Sequence, residues 1–129
     1  MKTHAIRLTY GQDLKKEIEN ICKQKNIQAG YVASSVGCVY EIKLRMAGGK
    51  TFKQEVKDYE IINVNGTLSK DGVHLHISLS DIDGNVVGGH LCEGCLINTT
   101  CELILVELDE YTFTREFDEK TGYKELNIH

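Results

Sequence analysis

The stretch GVHLHISLSD, residues 72–81, places His74 and His76 two positions apart in a run that alternates apolar and polar residues, and VVGGHL supplies His90 shortly downstream. On a strand, Val73, Leu75, Ile77 and Leu79 share one face, and His74, His76, Ser78 and Ser80 share the other. Two strand rises, about 6.6 Å, separate the paired histidines, so both imidazoles project the same way and can converge on one ion. The turn DIDGNV, centred on Asp83-Gly84, sends Val86 to His90 back beside Leu79 to Leu75. Register then decides whether His90 faces the other two. Imidazole nitrogens suit Zn, Cu, Fe and Ni; three of them with a free fourth position make an open site for a divalent metal, zinc foremost, which a water or an anion completes. The competing reading is a solvated strand face with His90 packed under a loop.

Other chemistry-bearing residues lie close by. Cys92-Glu93-Gly94-Cys95 is a single CxxC, and a zinc knuckle would need a second one. A redox CxxC usually opens a helix, whereas LINTTCELILVEL continues as a strand, so small buried cysteines are the expectation. Cys92 lies two residues past His90 and is an extra candidate ligand if the strand continues. Asp81 and Glu102 are candidate proton-handling carboxylates, with Glu102 the candidate general base should the site be catalytic; the alternative places Asp81 as a cap on the hairpin turn and Glu102 in ordinary sheet hydrogen bonding. Gly88-Gly89 marks a close backbone approach. No nucleophile elbow, phosphate loop or dinucleotide fingerprint is present.

Positioning these residues requires a sheet. THAIRLTYG reads as a first strand, followed by a helix that Asp13 caps and whose Leu14, Ile18, Ile21 and Cys22 recur at helical spacing. AGYVASSVGCVYEIKLRM reads as a strand, a bulge or bend at Gly37, and a second strand, with AGGK as a turn. Strand-like alternation continues from Thr51, with Asn65-Gly66 as a turn or bulge and Asp71-Gly72 as a turn. VVGGHL is a short strand and TTCELILVEL a longer one. The fold class expected is α+β: a mainly antiparallel sheet with one or two flanking helices. The tail, residues 109–129, alternates at Tyr111, Phe113 and Arg115, then becomes highly charged, and its end is expected to be loosely held.

A length of 129 residues fits one domain. No window approaches the roughly 20 apolar residues of a membrane span, and the first residues lack the apolar core of a signal peptide, so a cytoplasmic location is expected. The five cysteines, an odd number at irregular spacing, are expected as reduced thiols. Fifteen Lys and Arg against nineteen Asp and Glu give a net charge of −4, with the cations interspersed among acids as in DLKKEIE. Direct DNA binding would therefore need a patch assembled by an oligomer.

The segment GVHLHISLSDIDGNVVGGHLCEGC resembles the signature region of the plants and prokaryotes conserved (PPC, also DUF296) domain family. HAIRLTYGQDLKKEI resembles the family's opening strand and helix, AGYVASSVGCVYEIKL its small-residue region, and DYEIINVNGTLS the strand before the signature, so the likeness runs from about Thr3 to Leu108. It implies an antiparallel sheet flanked by helices, a homotrimer, and a metal site near a subunit boundary at His74, His76 and His90. In plants the domain follows a proline-containing DNA hook; this chain contains no proline, and a DNA-binding role would be carried by analogy alone. Three functions follow in order: a trimeric metal-binding domain with a binding or regulatory role, taking a small molecule or anion at the metal; a DNA-associated protein; and a metal-dependent enzyme.

Overall fold

The computed structural model describes residues 1–129. Strand β1 (Lys2–Thr9) leads into helix α1 (Leu14–Gln24), and strands β2 (Gly30–Arg45), β3 (Phe52–Leu68), β4 (His74–Ser80), β5 (Val86–Leu91) and β6 (Leu96–Glu107) complete the main sheet. A hairpin of β7 (Phe113–Asp118) and β8 (Tyr123–Ile128) follows as a separate two-stranded sheet. The α+β expectation holds, with one helix. That helix is not long and apolar enough to cross a membrane.

Helix α1 begins where the sequence predicts, because the Asp13 carboxylate accepts the Lys16 backbone N–H at 3.1 Å and relieves one of the free donors of the first turn. Its other oxygen accepts Gly94 N–H at 2.7 Å, which ties the helix start to the Cys92–Cys95 loop. Leu14, Ile18 and Cys22 are buried, and Ile21 packs at the edge of the same cluster.

The strand order is β1-β6-β2-β3-β4-β5, with β5 also pairing β2. Every pairing in the order is antiparallel. One edge of β2 is thus shared: β6 takes Gly30 to Glu41 and β5 takes Leu44 and Arg45. The second contact closes β2, β3, β4 and β5 into a ring around Leu44, Leu75, Ile77, Leu79 and Leu91, all buried. The polar residues of β4 consequently point outward from that ring.

Two sequence expectations change here. β2 and β3 each run unbroken, so the bulge expected at Gly37 is a register shift inside one strand rather than a break between two, and Asn65-Gly66 lies within β3 rather than at a turn. Register shifts near Val32, Gly37 and Val39 absorb the bending that would otherwise split β2. Gly66 is needed for proximity: a Cβ there would run into the His74 carbonyl on the neighbouring strand. The tail also differs from expectation. Its charged residues form the β7–β8 hairpin, which Phe113 anchors by burial and by donating its N–H to Gln28 O at 2.9 Å.

Candidate metal centre

The β4–β5 register places His76 directly opposite His90, and the two-residue period of β4 puts His74 on the same face. The ring centroids lie 5.0 Å apart for His74 and His76, 5.3 Å for His74 and His90, and 5.6 Å for His76 and His90. One ring nitrogen from each falls within 4.8 Å of the others. Two nitrogens bound to one tetrahedral zinc lie about 3.4 Å apart, given zinc–nitrogen bonds of about 2.0–2.1 Å, so small side-chain rotations close the set.

His90 Nδ1 is buried and has no hydrogen-bond partner, an exposed cost for a polar atom that a bound group would relieve. Burial, then Arg45 and the two other histidines, push the His90 imidazole down from its ordinary 6.5 to about 4. Burial and His76 also lower His74. Both shifts favour the neutral ring, whose lone pair is what a metal needs. The remaining histidines show the structural alternative: His4 pairs with Glu107 at 3.0 Å, and His129 with Thr114 at 3.2 Å.

Glycine lets the strands approach. A Cβ on Gly89 would sit 2.8 Å from Arg45 O, and one on Gly88 would sit 2.7 Å from Ile77 O, so the GG pair allows β5 to lie between β2 and β4. This is the close approach expected of Gly88-Gly89.

The three histidines floor a cleft of about 870 Å³. Arg45 from the end of β2 and Met46 just beyond it, Asp71 to Val73 from the turn before β4, and Arg115, Tyr123, Lys124 and Glu125 from the tail hairpin form its walls. Arg45 is the cross-strand partner of His90. Arg115 donates to Thr67 Oγ1 at 2.8 Å, and Thr67 is the partner of His74. The Asp71 carboxylate accepts Arg115 N–H at 2.7 Å. Arg45 lies over the Tyr123 ring at 5.5 Å.

These wall residues did not stand out in sequence. Arg115 carried a weak signal in the Tyr111, Phe113, Arg115 alternation; Arg45 carried none, because its place depends on β2 and β5 meeting far apart in the chain.

The other candidates go elsewhere. Glu102 is exposed on β6 opposite Arg7 and Val36, outside the cleft; β6 and β5 occupy different ends of one β2 edge, and Val36 precedes Arg45 by nine positions, about 30 Å of strand. Within the chain it stands apart from the three histidines. Cys92 lies just past β5, half-buried, with its Sγ 3.7 Å from His90 O, and it is not in the ligand group. Asp81 caps the β4–β5 turn, accepting N–H groups of Asp83 and Asn85 at 2.9 Å each and pairing with Lys57 at 3.1 Å. Cys95 is buried, receives the Lys43 N–H at 3.3 Å, and burial pushes its thiol up to about 12. None of the five cysteines is joined in a disulfide.

A family model of the Plants and Prokaryotes Conserved (PCC) domain matches residues 1–109. The chain is 44% identical over 128 residues to the bifunctional protein GlmU of a Synechococcus species, covering 99% of this chain and 20% of that one. It spans about a fifth of the length of the curated relatives it matches. Among solved structures, a hypothetical protein from Salmonella is 35% identical with a TM-score of 0.95, covering 99% of this chain and 93% of that one. A metal-containing protein from Archaeoglobus fulgidus is 30% identical with a TM-score of 0.85, covering 98% and 94%. On the extent of the family match and the likeness of fold, the chain belongs to the Plants and Prokaryotes Conserved domain family.

Proposed function

We propose that His74, His76 and His90 hold one divalent metal, zinc by donor type, in a trimeric domain of residues 1–129 with a binding or regulatory role. The convergence of three ring nitrogens within 4.8 Å carries this reading. The unpartnered His90 Nδ1 and the description of the Archaeoglobus relative as metal-containing support it. His74, His76 and His90 would hold the metal, which would supply a Lewis acid there. The chain's part is to present three imidazoles on core-backed strands and to keep a walled cleft above them. A binding role fits the Synechococcus relatives, in which the matching stretch is a fifth of a longer chain. The five free thiols fit a reducing, cytoplasmic compartment.

The trimer reading is supported by the outer side of the main sheet, where Tyr31, Val36, Ile62 and Ile104 are exposed and the single helix gives no cover. Light scattering on the purified chain should return three copies; a monomer would remove this part of the reading.

Elemental analysis of tag-free protein should find about one equivalent of metal per chain, lost in a folded His74→Ala/His76→Ala variant. Wild-type protein that carries no metal and rebinds none after zinc addition would return the histidines to polar strand-face residues.

A further inference from the structure

Arg45 and Arg115 are not needed to hold a metal, yet the fold brings both guanidinium groups to the same cleft. Register delivers Arg45 beside His90, and the Thr67 contact delivers Arg115 beside His74, so the cations flank the histidines from two walls. Neither guanidinium takes part in any of the chain's ion pairs. Arg115 Nε is moreover buried without a hydrogen-bond partner. A partly buried guanidinium normally faces a carboxylate or phosphate, because removing it from water without a counter-charge is costly.

The acids that share the cleft fill that role only in part: Glu125 and Asp71 lie near enough to favour the charged Arg115 guanidinium, yet neither forms an ion pair with it. Asp71 spends one carboxylate oxygen on the Arg115 backbone N–H, and Glu125 lines the wall without pairing to either arginine. The volume, about 870 Å³, lies within the range of small-molecule pockets and exceeds what a single ion needs. Planar guanidinium forks suit the two oxygens of an oxyanion.

We propose that the cleft between the histidines and the Arg45–Arg115 pair is a binding site for a small metabolite bearing a carboxylate or phosphate group, which the two arginines clamp over the histidine floor. This deepens the metal reading and rests on it for the contact below the anion, whereas the arginine contacts stand on their own geometry. Glu125 then acts as a filter, since its charge disfavours ligands that carry more anionic groups than the two arginines match.

The test is calorimetric titration of zinc-loaded protein with inorganic phosphate and, separately, with succinate, at fixed ionic strength against chloride. Arg45→Met and Arg115→Met should each weaken binding at least tenfold while elemental analysis shows zinc retained. Glu125→Gln should tighten it severalfold, a change of opposite sign that mere loosening of the hairpin would not give. A response to phosphate alone assigns the phosphate group, and a response to succinate alone assigns the carboxylate. Chelator-stripped protein that binds the anion as tightly as loaded protein keeps the arginine site and sinks its link to the metal. Absence of binding by wild type at millimolar anion, or equal binding by wild type and both arginine variants, overturns the proposal.

Discussion

The histidine floor of the cleft is laid over Leu75, Ile77, Leu79 and Leu91, all buried, and is paired on both sides by neighbouring strands. The wall that carries Arg115 and Tyr123 has Phe113 as its one buried residue and is tethered to the body by a few hydrogen bonds, among them those to Gln28, Thr67 and Asp71. The difference matches the two tasks. Metal ligation tolerates only small displacements, so its ligands belong on rigid strands; recognition of a flexible anion tolerates an adjustable wall. Strain in the floor should therefore disturb both proposed sites, and strain in the wall only the anion site.

The largest effect should come from the floor. Leu75→Ala removes a fully buried side chain between the two β4 histidines and should cost about 3 kcal/mol in denaturant unfolding, with reduced zinc stoichiometry. A cost under about 1 kcal/mol would mean that the core does not stiffen this strand.

Gly89→Ala comes next. The new methyl would press on Arg45 O and part β5 from β2, for about 2 kcal/mol and a weaker grip on both metal and anion. Unchanged stability would show that the β2–β5 closure is slack.

Asp71→Asn attacks the wall alone. Weakening its bond to Arg115 N–H should cost about 1 kcal/mol and loosen the hairpin with zinc stoichiometry intact. Zinc loss in this variant would erase the distinction between floor and wall. Hydrogen exchange offers a finer view: amides of β7 and β8 should exchange through local opening, and those of β4 only on global unfolding. Matching protection in the two regions would show that they open as one unit.

The smallest effect concerns the CxxC. Burial pushes Cys95 up to about 12 and Cys22 and Cys101 up to about 11, so iodoacetamide at pH 8 should leave these three unmodified in native protein and modify half-buried Cys92 sooner. Rapid modification of Cys95 in the folded chain would contradict its packing against Lys43.

Much of the floor was legible because its determinants are local. Alternation in GVHLHISLSD chooses the face of each side chain, Asp83-Gly84 with its capping Asp81 makes the hairpin, and Gly88-Gly89 clears room for a neighbouring strand. The helix was legible for the same reason, from the Asp13 cap and the spacing of Leu14, Ile18 and Cys22. The continuity of β2 and β3 was not, since a glycine that ends a strand and one that admits a neighbour look alike until the neighbour is known.

The sequence by itself determined a mainly antiparallel chain, the helix that follows Asp13 and the common face of His74 and His76, because strand period, capping and turn chemistry act within a few residues. Only the tertiary structure decided that His90 stands opposite His76, that Glu102 lies off the cleft, and that Arg45 and Arg115 face each other's neighbourhood across it. Those placements depend on which strands share the β2 edge and where the tail hairpin docks, contacts between residues far apart in the chain that local pattern does not encode.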